Sequence, residues 1–173
     1  LFLSYEGVGN CDLYVHSFSD AEKSFQIALQ YAQVWPGIND SEYPIVYESI
    51  GLSRIGEQRW ARAEEALKTA LAIFDRQIER ALRSNSAFMR NDEVWHLRRS
   101  RANALSLLGV VYDREERNAQ ALTTLEQAYE QDAQFHASED TLDSIAKIGL
   151  ALSLASGDIK ASARWTRRMV LSK

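Results

Sequence analysis

Few side chains in this sequence have the type and spacing needed for chemistry. The three histidines, His16, His96 and His136, lie far apart, and only ordinary surface carboxylates stand at helical spacing from them. Cys11 and His16 are five residues apart, which places a nucleophile and its base on different sides of a helix. The sequence therefore predicts no metal site and no cysteine nucleophile.

Other short motifs also have ordinary structural explanations. Gly7-Val8-Gly9 lacks the third glycine and the preceding strand of a dinucleotide fingerprint. The carboxylate pairs Glu64-Glu65 and Glu115-Glu116 are expected on exposed helix faces as solvated charge. Because no catalytic constellation is present, we expect a protein that is not an enzyme and has no cofactor.

Composition indicates a helical protein. The chain has 173 residues, 46% of them hydrophobic, with only eight glycines and two prolines and a formal net charge of -4. No apolar run approaches the roughly 18 residues of a membrane helix, and the acidic balance argues against a nucleic-acid binder. Cys11 is the only cysteine, so no intramolecular disulfide can form. A single thiol is compatible with a reducing compartment, and on this basis the cytoplasm is favoured.

Four segments of the chain share one pattern of large and small residues. In each, a glycine preceded by an aliphatic residue is followed by alanine, a large apolar residue and usually a second alanine, at the same offsets. The sets are Val8-Gly9, Ala21, Phe25 and Ala28; Ile50-Gly51, Ala63, Leu67 and Ala70; Leu108-Gly109, Ala121, Leu125 and Ala128; Ile148-Gly149, Ala161, Trp165 and Arg168. Each segment is predicted to form two antiparallel helices that cross closely at the glycine and first alanine.

This arrangement resembles the tetratricopeptide repeat (TPR), which spans about 34 residues. The glycines are 42, 58 and 40 residues apart here, which is similar to the longer-repeat kinesin light chain-like subclass. Glu139-Asp140-Thr141-Leu142 and Ser41-Glu42-Tyr43-Pro44 resemble the segment that opens each first helix in that subclass. The resemblance implies an all-α, right-handed α-solenoid of about four antiparallel helix pairs.

The pattern predicts one TPR-like domain over residues 1–173, with repeat units at about 1–34, 41–83, 92–133 and 139–171. Because the chain opens at Leu1 without an initiator methionine, we expect it to be part of a longer protein. The predicted helices span residues 1–15, 19–34, 41–57, 60–84, 92–116, 118–133, 139–156 and 158–171.

Two long helices in the middle predict an extended helical hairpin around residues 84–87. Phe88, Met89 and Trp95 supply apolar surface near its tip and form a candidate secondary docking patch. The alternative is that Phe88 and Met89 fold back onto Leu82 and Val94 and seal the hairpin.

A helical array offers a concave groove lined by the first helix of every pair. Its predicted centre is apolar and its edges are polar, which suits a peptide with apolar anchors and hydrogen-bonded flanks. The alternative is that the groove holds part of the parent protein or nothing. The predicted partner-binding residues are Asn10, Leu13, Ile45, Glu48, Leu52, Ile55, Arg99, Asn103, Ser106, Val110, Asp113, Ala146 and Leu150.

The sequence thus favours a non-catalytic interaction or scaffold module that binds a protein or peptide, with neither nucleic acid nor membrane as partner. Arg98, Arg99 and Arg101 are expected to form a solvated or ion-paired helix face. Two alternatives stay open. The chain could self-associate through its apolar ends or the central hairpin, or it could be a ligand-sensing helical segment of a larger regulatory protein.

Overall fold

The computed structural model describes residues 1–34, 42–83, 87–134 and 139–171, and within these ranges it contains only α-helices. The all-α fold predicted from the sequence is confirmed. The helices are α1 (Phe2–Tyr14), α2 (Phe18–Val34), α3 (Glu42–Gly56), α4 (Trp60–Leu82), α5 (Ala87–Arg114), α6 (Asn118–Gln134), α7 (Glu139–Ala155) and α8 (Ile159–Leu171).

The helices form two compact units, Leu1–Arg90 and Asn91–Lys173. In unit 1, α1 packs on α2, α2 on α3, and α3 on α4. In unit 2, α5 crosses α6 where Gly109 meets Leu125, and α7 packs between α6 and α8. Each unit therefore contains two consecutive helix pairs, the arrangement that the repeat pattern predicts.

Each helix pair crosses where a glycine of the first helix meets a large side chain of the second. A Cβ atom on Gly9 would lie 2.7 Å from the ring of Phe25, and one on Gly51 would lie 2.8 Å from Leu67. A Cβ atom on Gly149 would lie closer still to the indole of Trp165. Because these large side chains are fully buried, the glycine is needed to let the two helices approach.

The same tight turn joins the two helices of every pair. Its central residue has a positive φ, as at His16 (60°), Gln58 (59°), Glu116 (59°) and Gly157 (71°). The backbone N–H of that residue donates to the carbonyl three positions earlier, and the next N–H donates to the carbonyl five positions earlier. This is the Schellman motif, which satisfies the last carbonyls of a helix. Three of the four turns use it without glycine.

The helix boundaries agree with the predicted ones to within a few residues except at α5, which begins at Ala87 rather than residue 92. The prediction placed a helix start before Val94, but the preceding alanine, methionine and arginine favour helix, so the helix continues through Asn91 and Asp92. The hairpin of α4 and α5 stays a prediction, although both helices are long, with 23 and 28 residues. Across the described ranges, no helix is long and apolar enough to cross a bilayer.

Candidate partner-binding surfaces

In unit 1, α3 carries four of the predicted partner-binding residues on one face. Ile45 and Leu52 are large aliphatic side chains that remain 40% and 37% exposed, and Glu48 and Ile55 are half-buried between and beside them. The spacing of these four residues places them along one side of the helix. This face is therefore an apolar strip that is partly open to solvent.

The two predicted residues on α1 differ in accessibility. Asn10 is exposed, whereas Leu13 is half-buried and packs against the hydrophobic core of unit 1. Since α1 also contacts α3, Asn10 offers a polar side chain in the same unit as the aliphatic strip. Unit 1 therefore provides both apolar and polar candidates for binding.

Glu48 is the unusual member of this surface. Burial raises the pKa of its carboxyl group to about 7, because the charged form loses most of its hydration. At neutral pH the side chain is therefore close to half protonated and can either donate or accept a hydrogen bond. A carboxyl group in this state lies on the same helix face as Ile45 and Leu52.

The raised pKa of Glu48 makes folding depend on pH. The folded state holds the Glu48 proton up to about pH 7, whereas the unfolded chain releases it near the ordinary pKa of 4.5. This group therefore lowers stability as pH rises from 4.5 to 7 and contributes its full penalty above 7. Glu48→Gln should raise the free energy of unfolding by about 2 kcal/mol at pH 8, allowing for residual exposure, and by little at pH 4.5.

Urea denaturation of both chains at pH 8, 6 and 4.5, followed by circular dichroism, checks this expectation. The wild-type chain is the reference at each pH, so changes in the free energy of unfolding that are common to both chains cancel. A stability advantage of the Glu48→Gln variant that is the same at all three pH values would contradict the raised pKa.

In unit 2, α5 carries five predicted residues. Arg99 and Asn103 are exposed, and Ser106, Val110 and Asp113 are half-buried. They follow one another at intervals of three or four residues, so they share a side of the helix. This side is more polar than the α3 face of unit 1, since Val110 is its only aliphatic member.

The two predicted residues on α7 have different environments. Leu150 is half-buried, but Ala146 is fully buried at 0% exposure. Packing of α7 against both α6 and α8 leaves no room for a partner at this short side chain. Ala146 is therefore a core residue, which corrects the sequence-based assignment.

The candidate secondary patch lies partly outside the described residues. The backbone of α5 includes Phe88 and Met89, but their side chains are not among those described. Trp95 is half-buried, with the edge of His96 against it at a centroid distance of 4.8 Å and the Arg99 guanidinium 5.4 Å from its ring centre. Trp95 and Arg99 thus form a cation–π pair, which links the patch to the predicted binding face of unit 2.

A buried carboxylate near Arg99 was not anticipated from the sequence. Asp132 on α6 is only 1% exposed, and burial raises its pKa to about 6, an effect that the positive charge of Arg99 opposes. Counted from the repeat glycine, Asp132 takes the position that the buried Phe74 takes in the preceding repeat. An alignment of the repeats would have shown a carboxylate where the preceding repeat has a buried aromatic residue, and so could have identified Asp132 as buried.

A second unanticipated cluster joins three helices of unit 1. Glu22 on α2 is buried and accepts hydrogen bonds from Arg54 Nε of α3 at 2.8 Å and from Gln26 Nε2 at 3.1 Å. Its other carboxylate oxygen pairs with Arg59 at the start of α4. Arg54 also donates through Nη1 to the carbonyl of Arg62 at 2.8 Å. This cluster connects one helix pair to the next and has a structural role.

Arg168, which occupies the place of the last repeat alanine, has a corresponding role in unit 2. Its guanidinium lies 4.5 Å from the ring centre of Trp165 and 4.8 Å from that of Tyr129, and it pairs with Glu130 at 3.2 Å. These contacts link α8 to α6. Within the described parts of the chain, no group of three metal-ligating side chains comes together.

The geometry defines an all-helical protein built from consecutive antiparallel helix pairs that cross closely at a glycine. No protein-family model and no curated protein sequence matches the chain. The solved structure of BtubC (BKLC) from P. vanneervenii is similar, with a TM-score of 0.74 at 14% identity over 95% of this chain and 59% of BtubC. The chain thus spans about three fifths of the length of BtubC. At this identity, the likeness shows the fold alone.

Two further helical structures match with lower scores. MamA residues 41 to the end from Desulfovibrio magneticus RS-1 is 13% identical over 99% of this chain and 94% of that one, with a TM-score of 0.38. The apo form of RapI is 12% identical over 99% of this chain and 53% of its own, with a TM-score of 0.41. These scores are too low to support conclusions about this chain.

Proposed function

We propose that the chain is a non-catalytic interaction or scaffold module that binds a peptide or protein segment on the faces of its first helices that were predicted to line a concave groove. The observation that carries this proposal is the α3 face, on which Ile45 and Leu52 keep about two fifths of their surface in solvent. Exposed aliphatic side chains in a row are costly to leave in water and are stabilised when a partner covers them.

The polar residues on these faces support an extended or helical segment as the partner. Asn10 of α1 is exposed in unit 1, and Arg99 and Asn103 of α5 are exposed in unit 2, so each unit by itself offers groups that can hydrogen-bond to a peptide. Apolar anchors flanked by such groups are the usual composition of a peptide-binding interface. The apolar side chains on these faces would therefore supply most of the binding energy, and the polar side chains would fix the position of the peptide along the helix.

The proposal is tested by selecting peptides from a random displayed library on the whole chain and measuring the affinity of the best one by calorimetry. Leu52→Asp places a charge on the α3 face that carries the proposal, so we expect it to weaken binding about tenfold or more. Val110→Asp makes the same kind of change on the α5 face of unit 2 and tests whether that face also contributes. Val170→Asp is the matched control, because Val170 is 68% exposed but lies on α8, a second helix.

A peptide that binds the Leu52→Asp variant as tightly as the wild-type chain would contradict the proposal. Circular dichroism spectra that match the wild type establish that each variant is folded. Light scattering on the same samples distinguishes self-association, because a dimer that forms without peptide and is lost in Val170→Asp would favour the exposed apolar residues of α8 instead.

A further inference from the structure

Unit 1 contains a cavity that is lined by none of the predicted partner-binding residues. It has a volume of about 320 Å³ and opens between α3 and α4. This volume is at the lower end of the range for small-molecule pockets, roughly 300–1,000 Å³. The described residues that line it are Tyr43 and Tyr47 of α3 and Ile73, Arg76, Gln77 and Arg80 of α4.

One side of the cavity is apolar and held in place. Tyr43 and Tyr47 are one turn apart on α3, and both pack against the hydrophobic core of unit 1. The hydroxyl of Tyr43 donates to the carbonyl oxygen of Ala32 at 2.7 Å, which fixes the position of its ring. Together with the half-buried Ile73, these rings form a preformed surface for a flat or aliphatic group.

The other side of the cavity is cationic. Arg76 and Arg80 are one turn apart on α4, and none of the described residues that line the cavity carries a carboxylate. Arg76 is exposed, its Nε donates to the carbonyl of Ala72 at 3.3 Å, and it forms no ion pair with any residue that the structure describes. Glu79, an acidic neighbour on α4, pairs with Arg83 at 3.5 Å. Arg76 thus brings a positive charge to the cavity in a chain of net charge -4.

We propose that this cavity binds a small organic oxyanion, a carboxylate or a phosphate ester, with an apolar body. The planar guanidinium of Arg76 hydrogen-bonds to the oxyanion, and the body packs on Tyr43, Tyr47 and Ile73. Gln77 also lines the cavity, and its side chain is buried at the wall. This site is separate from the first-helix faces, so it does not depend on the peptide-binding proposal.

The test is an NMR titration of the whole chain with 3-phenylpropionate, with phenyl phosphate and with the neutral 3-phenylpropionamide. We expect saturable shifts at the rings of Tyr43 and Tyr47 with at least one of the two anions, and binding of the amide about tenfold weaker or more. The better of the two anions identifies the ligand as a carboxylate or as a phosphate ester.

Three variants on α4 test whether anion binding depends on the charge of Arg76, on its planar guanidinium, or on both. Arg76→Gln should weaken binding of the anion about tenfold, and Arg76→Lys should weaken it less, because it keeps the charge but loses the planar fork. Arg62→Gln makes the same charge change at an exposed position outside the cavity and should have no effect. Absence of saturable shifts with both anions, equal binding of the amide, or equal losses in Arg62→Gln and Arg76→Gln would overturn the proposal.

Discussion

Glu22→Ala is expected to lower the free energy of unfolding by about 3–5 kcal/mol, the usual cost of removing one member of a buried ion pair. The Glu22 side chain is 8% exposed and that of its partner Arg54 is 17% exposed, so neither charge is well solvated. Without the carboxylate, the half-buried guanidinium of Arg54 would lose its acidic partner, and Arg59 would keep only its ion pair with Glu57. Urea denaturation of the two chains at pH 7 measures this loss.

Glu79→Ala is the control for this variant. It removes a carboxylate that pairs with Arg83 on the surface of the same unit, where the two side chains are 68% and 82% exposed. A pair of this kind contributes less than about 1 kcal/mol, because water solvates both ions after the pair is broken. Losses of equal size in Glu22→Ala and Glu79→Ala would show that the buried cluster does not hold the helix pairs together.

Gly149→Ala is expected to lower the free energy of unfolding by about 3 kcal/mol, at the upper end of the range for overpacked cores. The new Cβ would overlap the indole of Trp165, which is fully buried. The indole has little freedom to move aside, because Tyr129 contacts it edge-on at 5.9 Å and Arg168 lies over its ring at 4.5 Å. Thermal and urea denaturation both report the effect.

Gly7→Ala makes the same substitution where the helix has space. Beyond the backbone of α1 itself, no atom of the described residues lies within 4 Å of a Cβ built at Gly7, so alanine should stabilise α1 by about 0.5–1 kcal/mol through its higher helix propensity. The two glycines therefore differ in the sign of the effect. A stability for Gly149→Ala equal to or above that of the wild type would contradict the close crossing of α7 and α8.

The fold was accessible to sequence analysis because its determinants recur at fixed offsets. Gly51 and Leu67 of one repeat correspond to Gly109 and Leu125 of the next, and the structure brings each pair into contact. Short-range signals such as the apolar stripe of an amphipathic helix act within one or two turns, so they can be read without knowledge of the neighbouring helices. These features gave the helix pairs and most of their boundaries.

Features that depend on particular side-chain contacts were harder to predict from the sequence. The turns at His16, Gln58 and Glu116 adopt positive φ without glycine, so no residue type signalled them. The pairing of Glu22 with Arg54 joins residues 32 positions apart through two long side chains, and charge patterns along the chain do not identify such partners. These turns and this ion pair are determined by tertiary packing and not by the local sequence.

The candidate site stays a prediction, although the structure shows how exposed its residues are. Helical spacing places Ile45 and Leu52 on one face of α3, and both side chains are exposed there. The same spacing failed for Ala146, since α7 is covered on two sides and a small side chain at that position lies in the core. Periodicity gives the direction of a side chain but does not show which neighbours cover it.

Site-specific cross-linking to the peptide selected by the chain would show whether the first helices form the binding surface. A photoreactive amino acid replaces Leu52 on α3 in one sample and Val170 on α8 in another, since both positions are exposed. We expect cross-linking of the peptide from position 52, competed by the unlabelled peptide, and none from position 170. Specific cross-linking from position 170 alone would contradict a binding surface on the first helices.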